Sequence, residues 1–282
     1  MPVGKFLRQL LPASIRTAIH SQRESTRLSS VKQLDYDTHR LRHASKLAPD
    51  EVFRSAEFES RWLDAQKKMA QFDVPDGTGG VNPGDRRAIF YLISAIRPTS
   101  ILEVGTHIGA STISIASALQ GTPRANGEHD RLTTIDIRDV NSRVQKPWLK
   151  HGTSHSPAEM IEILGTASFV ELITKSTVDF ADDCKQAFDF VFLDGDHSAA
   201  TVYKEIAIGL NLLEQDGVIL LHDYFPGMKP LWSDGSVVPG PFLAVERARR
   251  EDANLTVLPL GALPWMTKLS SNNTSLALLL RS

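Results

Sequence analysis

Two short stretches of the 282-residue chain concentrate side chains that ionise: Asp194-Gly195-Asp196-His197 and His222-Asp223-Tyr224. Each follows an apolar run, Phe190-Val191-Phe192-Leu193 in one case and Val218-Ile219-Leu220-Leu221 in the other, of the kind that forms a buried strand. Parallel neighbours in a sheet lie roughly 5 Å apart, so the two stretches are expected to converge in one crevice at the carboxyl ends of the strands. Carboxylates and imidazoles gathered there are costly without a task or a counter-ion. A bound divalent cation would balance them, and this donor set suits Mg²⁺, Mn²⁺ or a related ion with positions left open for substrate oxygens.

The second informative feature is the loop Glu103-Val104-Gly105-Thr106-His107-Ile108-Gly109-Ala110-Ser111. Gly105 lets the chain turn sharply at a strand end, Gly109 permits close approach of a ligand, and Ser111 can cap the following helix. The spacing Gly105-x-x-x-Gly109 is not the G-x-G-x-x-G that brings a helix N-terminus onto a pyrophosphate. Glu103, pointing into the loop, would repel a pyrophosphate and suit a cationic amino-acid ligand. Asp136 ends the next expected strand, where an ionised carboxylate can accept two hydroxyl hydrogen bonds at once.

At these residues the chain resembles the class I S-adenosylmethionine-dependent methyltransferases, whose first motif has the form E-x-G-x-x-x-G-x-S. The resemblance implies that Gly105 and its neighbours contact the methionine part of the cofactor and that Asp136 holds the ribose hydroxyls. Ser176, just after the third expected strand, is the residue to name for the adenine end. Over roughly residues 75–282 the sequence is similar to the metal-dependent O-methyltransferases, nearest the branch that includes the macrolide sugar methyltransferases. That resemblance implies Asp194, His222 and Asp223 as ligands of a divalent metal, Mg²⁺ or Mn²⁺, with Asp194 also beside the cofactor and His197 as the base. His222 departs from the branch, where an acidic residue is more usual, and Mg²⁺ prefers oxygen ligands. The implied acceptor is a hydroxyl of a small molecule or sugar.

The elements that must position these residues alternate as parallel strands joined by helices. Helices are expected over 85–96, 112–119, from the Ser156-Pro157-Ala158-Glu159 capping box to about Leu164, and through Val202, Ile206, Leu210 and Leu213. Strands are expected at 101–104, 132–137, 169–173, 190–193 and 218–221. Two apolar runs, 255–258 and 276–280, could pair antiparallel at the sheet edge. The expected fold is therefore α/β, a doubly wound and mostly parallel seven-stranded sheet. Gly and Pro crowd residues 75–84, which places a catalytic domain at 75–282 after a helical extension at 1–74. Within that extension Phe6, Leu7, Leu10, Leu11, Ile15 and Ile19, set among Lys5, Arg8 and Arg16, form a basic amphipathic stretch that could touch a membrane surface or an anionic partner but is expected to pack on the catalytic domain or on a second subunit. The Pro/Gly-rich segment 225–241, with Lys229, Trp232 and Asp234, reads as a loop at the acceptor side, where Trp232 could stack on a ring or pack against Trp265.

Composition narrows the function. Apolar residues make up 41% and charged residues 23%, as in ordinary globular proteins. A net charge of -2 gives no electrostatic reason to expect nucleic acid. The single cysteine, Cys184, excludes an intrachain disulfide. With no apolar run long enough to span a bilayer and no signal-peptide pattern, a cytoplasmic protein, monomeric or homo-oligomeric, is expected. Two other functions use the same residues: an oxygenase whose iron is held by His197, His222 and a carboxylate, and a non-catalytic module that binds S-adenosylmethionine.

Overall fold

The order of the strands in space follows from how their two faces are covered. In the computed structural model, which describes residues 13–77, 80–121 and 130–282, the first five strands are β1 (Ser100–Val104), β2 (Arg131–Asp136), β3 (Val170–Thr174), β4 (Phe188–Leu193) and β5 (Leu213–Leu221). All five run parallel and are joined through helices. The C-terminal strands β6 (Leu255–Pro259) and β7 (Ala277–Arg281) are antiparallel to each other, and β7 enters the sheet beside β5. The order is β3-β2-β1-β4-β5-β7-β6, so the chain reverses direction across the sheet between β1 and β4. In doubly wound sheets that reversal opens the ligand crevice.

Alternation along the central strands feeds two cores. Phe190, Phe192, Val218 and Leu220 join one, beneath α3 (Pro83–Ile96) and α4 (Ala110–Gln120). Val191, Leu193, Ile219 and Leu221 join the other, beneath α7 (Ala199–Leu212) and α8 (Pro239–Glu251). Strands covered on both faces read as continuous apolar runs, which is why β4 and β5 were conspicuous in the sequence. Residues 277–280 are fully buried, as the inner of the two antiparallel strands requires.

Local signals set the helix starts. Asn82 caps α3 through Oδ1, which accepts from Asp85 N at 3.0 Å, and Pro83 occupies the first turn, so the helix opens two residues before the expected Asp85. The expected capping box forms at α5 (Pro157–Ile163): Ser156 Oγ accepts from Glu159 N, and Ser156 N donates to Glu159 Oε2 at 2.7 Å. Two elements were not expected. The short α6 (Thr177–Asp183) follows β3, and α8 begins at Pro239, inside the segment read as an irregular loop; proline is tolerated in the first turn of a helix.

The N-terminal residues share these cores. Helix α1 (Ala13–Ser29) packs on α7 and α8, burying Leu28, and Glu24 Oε2 accepts from Ala199 N at 2.7 Å, capping α7 from outside. Leu41 is buried where it bridges to Gly217. On α2 (Ala56–Met69), Trp62 sits edge-on to Phe90 at 5.3 Å. Ile15 and Ile19 remain exposed, so Leu28 and Glu24, rather than the expected apolar pair, make the contact. Phe6, Leu7, Leu10 and Leu11 of the amphipathic stretch lie outside the described residues, as do Thr78 and Gly79 of the Gly/Pro boundary.

Candidate functional site

The loop after β1 is shaped by close backbone approach. Gly105 has φ +102°, and a Cβ there would run into the Asp194 carbonyl oxygen. Only glycine lets the ends of β1 and β4 come this near. Gly105 N donates to Ile135 O at 2.8 Å, and His107 N donates to Asp136 Oδ2 at 2.9 Å, which ties the loop to the end of β2. At the strand reversal a cleft of about 650 Å³ opens, lined among others by Gly105, Asp136, Ser176, Asp194, His197 and Glu205. Its size suits a small organic ligand.

The cleft thus gathers five of the residues singled out from sequence, and three others lie behind it. Glu103 is fully buried; its Oε2 accepts from Thr112 Oγ1 at 2.5 Å and Thr134 Oγ1 at 2.6 Å, while Oε1 has no hydrogen-bond partner among the described residues. Burial pushes its pKa up to about 7, against the pull of the Ser111, Thr112 and Thr134 hydroxyls. Gly109 is the N-cap of α4, with no side-chain cap, and Ser111 lies buried within the first turn instead of capping it. Ser176 lines the cleft, but its hydroxyl caps α6: Oγ accepts from Asp179 N at 3.1 Å and donates to Asp179 Oδ2 at 2.5 Å.

Asp136 is held as a carboxylate. Burial opposes its charge, but Arg138 and two backbone N–H groups outweigh that and lower its pKa. Arg138 grips it with Nε on Oδ1 and Nη2 on Oδ2, both at 3.0 Å. This guanidinium was missed from sequence because an arginine two residues beyond a strand end carries no motif. It covers the oxygens that hydroxyl groups would use.

Past Asp194 the arrangement differs from the expected metal centre. His222 Nδ1 lies 2.7 Å from Asp194 Oδ1, and Nε2 lies 3.3 Å from Asp85 Oδ2 on α3. Burial works against a charge on this ring, but Asp194, Asp223 and Asp85 together hold its pKa well above the ordinary histidine value. Among the described residues no group of three or more His, Cys, Asp or Glu side chains is disposed to hold a metal ion. Asp194, His222 and Asp223 do stand together, with His222 Nδ1 2.7 Å from Asp194 and 3.7 Å from Asp223, and both imidazole nitrogens are directed at carboxylate oxygens. Asp85 went unnoticed because it lies far away in sequence, inside a helix start.

His197 stands at the rim of the cleft, about one-third exposed, with Nε2 3.6 Å from Asp223 Oδ2. Asp223 has φ +53°, which turns its side chain toward that ring. The backbone of His197 is fixed from behind: a Cβ on Gly240 of α8 would collide with the His197 carbonyl oxygen. Glu205, on α7, is a further group the sequence did not flag, since a glutamate among apolar helix residues gives no spacing signal. Its burial, with Asp196 and Asp194 nearby, pushes its pKa up to about 8, and Thr177 Oγ1 donates to Oε1 at 3.1 Å. Trp232 offers no open stacking face: it is buried edge-on to Phe225 at 5.5 Å, with Lys268 Nζ 4.4 Å from the ring centroid. Trp265 packs elsewhere, against Phe53.

Residues 102–224, which span the loop after β1 and both acidic stretches, match the family model described as a methyltransferase domain. Solved structures share the fold. The O-methyltransferase TomG of Streptomyces achromogenes, involved in tomaymycin synthesis and solved with S-adenosylmethionine, is 18% identical with TM-score 0.51, over 94% of this chain and 98% of that one. The Podospora anserina methyltransferase PaMTH1, solved with S-adenosylhomocysteine, is 16% identical with TM-score 0.51, over 81% of this chain and 88% of that one. No curated protein matches the chain. The fold is thus shared with solved methyltransferases, and the match to a methyltransferase domain spans β1 to the end of β5. Among the described residues no helix is long and apolar enough to cross a membrane.

Proposed function

We propose that the protein transfers the methyl group of S-adenosylmethionine to a hydroxyl oxygen of a small molecule or sugar, with residues 75–282 as the catalytic domain and 1–74 as its extension. The observation that carries this reading is the cleft at the strand reversal, where Gly105, Asp136, Asp194 and His197 face one space. In this reading Asp136 binds the ribose hydroxyls as an ionised acceptor, after Arg138 gives way. The backbone at Gly105 and the Asp194 carboxylate meet the methionine end, and Ser176 with its neighbours bounds the adenine end. Glu103, Gly109 and Ser111 act from behind, by fixing the loop.

His197 then serves as general base: His107 and His151 also line the cleft, but His197 is the imidazole that approaches Asp223, beside Asp194. The acceptor oxygen attacks the sulfonium methyl carbon in line. A C–O bond forms as the C–S bond breaks, the bonding pair passes to sulfur, and the hydroxyl proton goes to the imidazole. The products are a methyl ether and neutral S-adenosylhomocysteine. Holding oxygen and methyl in line supplies most of the acceleration. No step of this reading is routed through a metal; both ring nitrogens of His222 face carboxylate oxygens. That TomG is an O-methyltransferase of a small-molecule biosynthesis supports the acceptor class.

The test is incubation of S-adenosylmethionine with a panel of hydroxylated small molecules and sugars, read by mass spectrometry. A methylated product formed in equal amount with S-adenosylhomocysteine is expected. With that acceptor, His197→Ala should lose about 10²–10⁴-fold in kcat and keep its affinity for S-adenosylhomocysteine. Unchanged kcat would remove His197 from the mechanism.

A further inference from the structure

Where α6 and α7 wall the cleft, several polar side chains are committed to their own elements. Ser176, the residue named for the adenine end, uses its hydroxyl on Asp179; Lys175 Nζ donates to Asp183 Oδ2 at 2.7 Å, and Asp196 Oδ1 accepts from Ser198 N at 2.5 Å. Glu205 is different. It lines the cleft from α7 at 4% exposure, and Thr177 Oγ1 donates to its Oε1 at 3.1 Å, but Oε2 has no hydrogen-bond partner among the described residues. Gly195 gives the carboxyl its place: a Cβ there would stand 3.0 Å from Oε1 and 3.6 Å from Oε2.

A buried carboxyl with one oxygen unpaired is costly. No basic group offsets that cost: among the described residues no ion pair forms at Glu205, and Asp196 and Asp194 act on it with charge of its own sign. Burial and those neighbours push its pKa up to about 8, so it carries its proton at neutral pH, a state in which an acid still has an oxygen that accepts. What the site lacks is a donor arriving from the cleft. Ile137 and Val178, both apolar and exposed, line the same space and suit the face of an aromatic ring. Adenine has such a face, and in the nucleoside its one N–H donor group is the exocyclic amine, because the ring nitrogens only accept.

We propose that Glu205 reads the base of S-adenosylmethionine: Oε2 accepts a hydrogen bond from the exocyclic amino group of adenine, while Thr177 Oγ1 holds the carboxyl in place through Oε1. Glu205 is then a specificity residue for the cofactor, on the helix after β4, and its role rests on the methyltransferase reading. A purine with hydrogen in place of the amine leaves Oε2 unpaired again, and the site discriminates against it for that reason.

The test is a cycle of calorimetric titrations, in which S-adenosylhomocysteine and its analogue with hydrogen in place of the amine are each added to full-length wild type, Glu205→Gln and Glu205→Ala. Wild type should prefer S-adenosylhomocysteine by at least about tenfold, and Glu205→Ala should bring the two ligands to within about twofold of each other. Glu205→Gln should keep most of the preference, because its amide oxygen accepts as the carboxyl does. A structural role would weaken both ligands alike, so the same ratio in wild type and Glu205→Ala overturns the proposal. Should Glu205→Ala fail to fold, Glu205→Met, of similar volume and without the buried carboxyl, takes its place in the cycle with the same two outcomes. Equal binding of the two ligands by wild type overturns the proposal whichever variant folds. Saturable S-adenosylhomocysteine binding with an unchanged ratio sinks the assignment of Glu205 alone, whereas no binding by wild type sinks the methyltransferase reading with it.

Discussion

Asp85 and His222 lie 137 residues apart in the chain, yet Oδ2 of one and Nε2 of the other are 3.3 Å apart in the interior. The contact joins the helix that precedes the sheet to the strand end that closes the cleft. Truncating Asp85 takes the acceptor from His222 Nε2 and Asn82 Nδ2, while Asp194 still faces His222 Nδ1. Asp85→Ala should therefore destabilise the protein by about 1–3 kcal/mol, read as a lower urea midpoint with unchanged slope, and Asp85→Asn should lose less because an amide oxygen can still accept from the ring. A loss under about 1 kcal/mol for Asp85→Ala would show that the contact contributes little.

Glu205 makes stability depend on pH. Its carboxyl is raised from 4.5 to about 8, so the folded state holds the proton more tightly than the unfolded chain does. Stability from this group is full below pH 4.5 and is lost as pH rises toward 8. Glu205→Gln removes that linkage, so the variant should gain on wild type between pH 5 and 8.5, by on the order of a few kcal/mol. Glu103, also raised, is common to both proteins and cancels. Denaturant midpoints across that range check the prediction; a constant gap between the two proteins contradicts it.

Arg138 covers the oxygens of Asp136 through two contacts of 3.0 Å and is largely exposed itself. If ribose hydroxyls bind there, the guanidinium has to move aside. Arg138→Ala should then bind S-adenosylhomocysteine at least as tightly as wild type. Affinity weaker by more than about tenfold, roughly 1.4 kcal/mol, would show instead that Arg138 touches the cofactor.

What could be read from the sequence was whatever has a local signature. The glycine loop, the Ser156–Glu159 capping box, the apolar strands and the antiparallel tail all carry period, cap or turn chemistry within a few residues. The start of α8 did not, because Pro239 and Pro241 read as loop although proline fits a first helical turn. The site divides in the same way. Asp194, His197, His222 and Asp223 were singled out because they follow strand ends, whereas Asp85 and Glu205 sit inside helices and come near them only through tertiary packing. The strand end placed His222, but its contact with the buried carboxylate on α3, 137 residues away, has no local signature.

The central claim is that this cleft binds S-adenosylmethionine through Asp136. Calorimetric titration of S-adenosylhomocysteine into wild type and Asp136→Ala tests it without knowledge of the acceptor. The account predicts one saturable site in wild type and an affinity about 10–100-fold weaker in the variant, as expected for the loss of charge-assisted hydrogen bonds. No binding by the wild-type protein, or equal binding by both, would contradict it.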